Sequence, residues 1–346
     1  MTDSKQDQLK PAGIGAGIAK LFSNQSILLV AVILVLGIFF SIQSGGDFAK
    51  VMVFNNILTD WGSIILLAVG QTLVVISGGI DLSVGATVSL SSVVSAFVMM
   101  NVFKWDGTIT GDAATVPLLV GTLIAVLTGA AVGVVNAILI NVAKIVPFIA
   151  TLATLSAAGG LAIIISGGQP LQGPSNFSLI SAFGDPRLNP FSFMIIAVIV
   201  VVVIAGLFIH KAKLGLYTYA IGSNTFAARG AGINVERHLT KVYVLSGVFA
   251  GLGGMYSYIR LGAGSPTSGS GMELYAIAAT VIGGASLMGG VGRILGTVLG
   301  TLVLYTVQSG LLMINVSPDW KQIVVAILIA GAVAVQGFKF TSKRSK

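Results

Sequence analysis

An acid set in hydrocarbon is the first residue that demands an account. Asp81 stands within Ser77-Gly78-Gly79-Ile80-Asp81-Leu82-Ser83-Val84-Gly85, with almost purely apolar chain on either side. A carboxylate in such a setting must face a cavity or meet hydrogen-bond donors. Asp81 or Ser83 can accept from the free N–H groups that open a following helix, which is what a broken helix in an apolar medium requires. The other reading gives the pair a place in a solute path or a gate. A second stretch, Gly283-Gly284-Ala285-Ser286-Leu287-Met288-Gly289-Gly290-Val291-Gly292-Arg293, is similarly small and flexible. Two such interruptions suggest related discontinuous regions.

Polar chemistry gathers again in the longest loop expected on the inward side, from His210 to Lys241. Asn224 is a good N-cap, Thr225 to Arg229 suit a short helix, and Gly230 and Gly232 suit its end. A short capped helix among basic residues is a docking element; the simpler alternative is a basic loop lying on anionic lipid. Other chemistries find no support. The Walker pattern GxxxxGK[ST] is absent, and Gly13 to Lys20, the nearest approach, ends Ala-Lys-Leu. Gly290-Val291-Gly292-Arg293-Ile294-Leu295-Gly296 fails as a dinucleotide fingerprint, because its last gap is one residue too long and no strand precedes it. His210 and His238 lie in this basic stretch and not in a carboxylate or His cluster, so no metal site is expected. No nucleophile, base and acid can be grouped either, and the chain by itself is not expected to be an enzyme.

The elements that position these residues follow from composition. Of 346 residues, 9% are charged and 55% hydrophobic, 45 are glycine, and the mean hydropathy is +0.98. A soluble protein carries about 25% charge, so this chain is a polytopic, all-α membrane protein. With no cysteine there are no disulfides or thiolate metal sites. The net charge of +8 is too sparse for a nucleic-acid groove, and no nucleic-acid partner is expected.

A crossing helix needs about 20 mostly apolar residues. About ten stretches fit: 22–42, 57–77, 82–103, 117–140, 146–166, 191–209, 242–261, 275–288, 294–314 and 323–338. The eighth is short, as for a broken or buried segment. The first lacks an Ala-x-Ala cleavage site and reads as a retained span. The expected organisation is a polar tail over 1–21, a membrane domain over 22–338 with discontinuous regions near 77–85 and 283–293, and a basic tail over 339–346. Alternate loops collect Lys5, Lys10, Lys20, Lys144, Lys211, Lys213, Arg229, Arg237, Lys241, Arg293, Lys339, Lys343, Arg344 and Lys346. Basic residues stay on the cytoplasmic side, so both termini are expected there. Gly129 and Gly133, Gly247 and Gly251, and Gly292, Gly296 and Gly300 recur every four residues, the spacing of flat faces where helix backbones approach closely.

The runs GQTLVVISGGIDLSVGATVSLSS (70–92), PFIATLATLS (147–156), YAIGSNTFAARGAGINV (219–235) and ELYAIAATVIGGASLMGGVGRILGT (273–297) resemble the membrane permeases of ribose-type ABC importers, within the branched-chain amino acid/ribose permease superfamily. The resemblance extends from about Asn55 to Phe338. It implies a permease in the bacterial inner membrane that pairs with a second copy or a sister permease. A periplasmic sugar-binding protein delivers the solute, and a cytoplasmic ATPase with ATP-binding cassettes holds ATP and Mg. This chain itself would hold no cofactor. The resemblance also makes Gly222, Asn224, Ala227, Ala228, Arg229, Gly232, Ile233 and Asn234 the segment that docks on the ATPase. One departure is Tyr275, where the family usually has an aspartate after the Glu-Leu pair. The path for a monosaccharide-like solute needs hydrogen-bonding groups and aromatic faces. Gln71, Asn136, Phe148, Thr151, Thr154, Tyr256, Tyr258 and Gln308 are candidates by type and position, although polar side chains in spans also bond neighbouring helices. An ion-coupled secondary transporter is the alternative; it would place ionisable relays in mid-span, and these spans are nearly free of them.

Overall fold

The computed structural model describes residues 25–104, 115–172 and 193–317 and scattered positions between 320 and 334. Its helices are α1 (Gln25–Gln43), α2 (Val51–Ile76), α3 (Val84–Val102), α4 (Thr115–Asn141), α5 (Pro147–Ser166), α6 (Phe193–Lys211), α7 (Lys213–Ser223), α8 (Thr225–Gly230), α9 (Val235–Leu261), α10 (Met272–Ile282) and α11 (Ile294–Met313). Two short strands, β1 (Leu171–Gln172) and β2 (Ala263–Gly264), pair antiparallel. Among the described residues, 8 helices are long and apolar enough to cross a membrane. The eighth predicted span is the 11-residue α10, about 16 Å long and roughly half of a 30 Å hydrocarbon core. The predicted tails 1–21 and 339–346 lie outside the described residues, and of the tenth span, 323–338, only scattered helical positions are described.

Glycine builds the centre. The faces at Gly129/Gly133 of α4 and Gly247/Gly251 of α9 meet each other: a methyl placed on Gly129 would come 2.9 Å from the Gly251 nitrogen. On the other side of the bundle, a methyl on Gly283 would lie 2.6 Å from the Thr297 nitrogen, and one on Gly300 2.9 Å from the Gly283 nitrogen. Backbones this close gain dispersion contacts that bulkier side chains would block, and packing of this kind drives association in lipid. Around α9 stand α2, α3 and α4. Residues 61–76 of α2 are buried throughout. By contrast α6 exposes Ile196, Val200, Val203 and Leu207, the aliphatic surface of a helix facing lipid.

One expectation needs correction. Residues 210–241 were expected to form a long loop with one short helix, and they are almost wholly helical. The cause is capping: Asn224 Oδ1 accepts from Ala227 N at 2.9 Å to open α8, and Asn234 Oδ1 accepts from Arg237 N at 2.9 Å to open α9 well ahead of its apolar stretch. The Asn224 cap is the one read from sequence.

Candidate functional site

The first interruption folds back into the bundle. After α2 the chain reverses at Gly78 (φ 84) and climbs beside the helix it has just left, bringing Asp81 level with Gln71. With its amide nitrogen turned to the Asp81 carbonyl, Gln71 donates to that oxygen at 3.0 Å and accepts from Asp81 N at 3.3 Å. The carboxylate is 1% exposed and ringed by donors. Oδ1 accepts from Ser83 N at 2.9 Å, Ser83 Oγ at 2.6 Å and, more distantly, Asn136 Nδ2 at 3.5 Å. Oδ2 accepts from Ser246 Oγ of α9 at 2.9 Å. Asn136 Nδ2 donates to Ser83 Oγ at 2.8 Å and its Oδ1 accepts from Thr154. Thr151 Oγ1 donates to the carbonyls of Pro147 at 2.9 Å and Ile80 at 3.3 Å.

Ser83, weighed as a helix cap, makes no side-chain bond to the first turn of α3, because its hydroxyl is committed to Asp81. The aspartate likewise accepts no N–H of α3. It closes a turn onto Ser83 and ties that turn to Asn136 of α4 and Ser246 of α9, and donors of this kind offset the desolvation cost of a buried carboxylate. Of the residues weighed for a solute path, Gln71, Asn136, Thr151 and Thr154 are therefore gathered around this acid. The others lie apart. Tyr256 donates its hydroxyl to the Thr59 carbonyl at 2.7 Å, Tyr258 is buried, Gln308 is half-buried and Phe148 is exposed on α5. Sequence reading passed over Ser246, since a small hydroxyl in a glycine-rich helix carries no signal of its own.

The second interruption has a different construction. It turns through Gly284, Gly289 and Gly290, all with positive φ, and closes on itself with Ser286 N donating to the Val291 carbonyl at 3.0 Å. It also meets the first. Gly290 N donates to the carbonyl of Ile76, the last residue of α2, at 2.8 Å. The end of α7 wedges onto this seam: a methyl on Gly222 would overlap the Ile76 carbonyl oxygen and lie 2.6 Å from Gly290 N. Tyr219, a turn earlier, donates its hydroxyl to the Gly292 carbonyl at 2.6 Å.

Helix α8 follows α7 after Asn224 alone, and Thr225 Oγ1 donates back to the Ile221 carbonyl at 3.0 Å. Ile221, Ala228 and Val235 form a small core beneath it, with Ile233 packed against them, and Gly232 (φ 83) turns the chain toward Asn234. Arg229 pairs with Glu236, which also lies 3.8 Å from Lys144. Ala227 is exposed and Phe226 is 88% exposed, an apolar ring on a charged end of the molecule. Glu236 was missed from sequence; an acid two residues beyond a capping asparagine was the available signal. Among the described residues, no group of three or more His, Cys, Asp or Glu could hold a metal.

The chain is 32% identical over 327 residues to the galactose/methyl galactoside import permease protein of Haemophilus influenzae, covering 93% of this chain and 96% of that one. It is 36% identical over 286 residues to the ribose import permease protein of Escherichia coli K12 (82% and 85% covered), and 36% identical over 275 residues to that organism's D-allose transport system permease protein (78% and 79%). No solved structure matches. The family model described as branched-chain amino acid transport system / permease component matches residues 53–333, a stretch that includes both interruptions and the capped helix, and the chain belongs to that family of membrane permeases.

Proposed function

We propose that this chain is the membrane-spanning subunit of an ATP-driven importer of a monosaccharide-like solute. A periplasmic binding protein delivers the solute, and a cytoplasmic ABC ATPase, holding ATP and Mg, docks on α8. The permease works as a pair with a second copy or a sister chain in the bacterial inner membrane, with both termini cytoplasmic. The observation that carries the reading is the seam at Gly222. Helix α8 joins α7 through Asn224 alone, and the end of α7 meets the backbone of Ile76, where the first interruption starts, and of Gly290 in the second, with no flexible side chain between them. A push on α8 is thus delivered to the two places where the spans are broken. The sugars that the relatives are named for, ribose, galactose and allose, supply the solute class. In this reading Gln71, Asn136, Thr151 and Thr154 hold the first interruption in place, while Phe148 and Gln308 keep a role along the path.

The test is reconstitution in proteoliposomes with the cognate ATPase and binding protein, following uptake of D-ribose, D-galactose and D-allose together with ATP hydrolysis. Uptake should require ATP and the binding protein. Arg229→Glu should lower ATPase capture, because it both reverses a surface charge and breaks the pair with Glu236. Capture and coupling equal to wild type would remove α8 as the docking element. Orientation is tested in the cysteine-free background, where Ser223→Cys in intact cells should react only with a membrane-permeant thiol reagent.

A further inference from the structure

The segment between α9 and α10 enters the membrane instead of lying on its surface. Its depth can be read from contacts. A methyl on Gly253 would lie 2.5 Å from Leu67 Cδ1 and 3.5 Å from both the Ser63 carbonyl and Val88 Cγ2, so Val88 of α3 is level with the middle of the apolar run of α2. Gly269 packs on that same level, since its added methyl would lie 2.9 Å from Val88 Cβ and overlap the Gly85 carbonyl. Gly269 N donates to Ser89 Oγ at 2.9 Å. From Leu261 the chain therefore dips to about the bilayer midplane, and only there does α10 begin.

Irregular backbone at this depth is tolerated where it is covered by protein or lines water. Part of this segment is covered: Ala263, Gly264, Pro266 and Gly269 are buried. The rest is not. Thr267 and Ser270 are exposed, Ser265 and Ser268 are half-buried, and so is Glu273, whose carboxylate lies over Gly85. Exposed hydroxyls and a partly exposed carboxylate in mid-membrane differ in kind from the Ile, Val and Leu that the outward faces of α1 and α6 present at the same depths. Acyl chains cannot satisfy them.

We infer that Thr267, Ser270 and Glu273 form a midplane station on an aqueous path and hydrogen-bond a neutral polyhydroxylated solute. The hydroxyls act as donors and acceptors and the carboxylate as an acceptor for paired sugar hydroxyls. No fixed charge on the solute is required. The inference rests on the reading of the chain as a sugar permease, but its first arm does not.

That arm is thiol labelling. Thiolates, the reactive species, form in water, so Thr267→Cys and Ser270→Cys in the cysteine-free chain should react with a charged methanethiosulfonate in cells or in inverted vesicles. A lipid-facing control, Val200→Cys, should not. Labelling no faster than the control overturns the station and assigns this face to lipid or to contact with a second copy. The second arm is transport: Ser270→Ala and Glu273→Gln should raise the KM for sugar uptake about tenfold, with maximal ATP hydrolysis kept. An unchanged KM in both variants also overturns the inference. Rapid labelling in a wild-type-like complex that imports none of the three sugars would instead count against the sugar reading and leave the aqueous face standing.

Discussion

Non-helical chain enters this bundle from opposite ends, at 77–83 and at 262–271, and the two intrusions solve the same physical problem differently. Around Asp81 the hydrogen-bonding groups are turned inward: the carboxylate, Gln71, Ser83, Asn136, Thr154 and Ser246 form one connected network of buried residues. Along 262–271 the backbone is supported by short turns and by Ser89, while Thr267 and Ser270 point away from the protein. An enclosed carboxylate with this many donors would lose them on any movement, which is the behaviour expected of an anchor in the fold. Thr267 Oγ1 has only its neighbour Ser265 Oγ, at 3.2 Å, and both Thr267 and Ser270 stay exposed, which is what the proposed station on a solute path requires. Polar composition alone does not separate these roles; the direction in which the groups face does.

That contrast is most exposed to failure at Asp81. Asp81→Leu leaves the hydroxyls of Ser83 and Ser246 and the backbone N–H of Ser83 without their acceptor, at about 1–3 kcal/mol for each orphaned group. Against a total stability on the order of 5–15 kcal/mol, the expected outcome is loss of folded protein, read by yield of monodisperse permease in detergent. Normal yield and melting temperature would mean that the network is not an anchor. Gly269→Ala comes next. Its methyl would overlap the Gly85 carbonyl, so the loop must shift at a cost of about 1–3 kcal/mol, seen as a lower melting temperature together with reduced uptake.

Asp81→Asn should do less harm. It keeps the size and one acceptor oxygen, and the Ser246 hydroxyl can turn to accept from the new amide, so a cost of about 0.5–2 kcal/mol is expected by analogy with capping residues. ATP-driven uptake should survive. Loss of uptake with assembly and ATP hydrolysis intact would move Asp81 from anchor to gate or ion relay. The smallest change belongs to the open segment. Ser268→Ala removes a local bond of 3.0 Å to the Ser265 carbonyl, worth about 0.5–1.5 kcal/mol, and thermal melting should register a shift of no more than a few degrees.

Much of this architecture is legible in the residues. Gly129, Gly133, Gly247 and Gly251 announce their faces because close approach in lipid depends on side-chain size, which the sequence states directly. The interruptions at 77–83 and 283–293 are equally visible, since Gly, Ser and Asp stand out from aliphatic chain, and Asn224 declares its helix through cap chemistry. What stays hidden is whatever depends on distant partners. Ser246 meets Asp81 across 165 residues, and no local pattern marks it. The polar residues 265–270 merely fall between the predicted spans 242–261 and 275–288, because an exterior loop and one packed deep against α3 share the same composition; the contact of Gly269 with Gly85 distinguishes them. Residues 210–241 looked like loop for the opposite reason, being helix with too little hydrophobic periodicity to show.

The Ser246–Asp81 bond carries a consequence for biogenesis. Ribosomes add about 5–20 residues per second, so roughly 10–30 s pass between synthesis of the acid and synthesis of its last donor. Throughout that interval the nascent chain holds a carboxylate that hydrocarbon will not accept alone. Segments α2 and α3 are therefore poor candidates for release into lipid as an independent hairpin. Their settling into the bilayer should wait at the insertion machinery until α4, α5 and α9 have been made, so that a premature stop anywhere before Ser246 leaves a product marked for proteolysis.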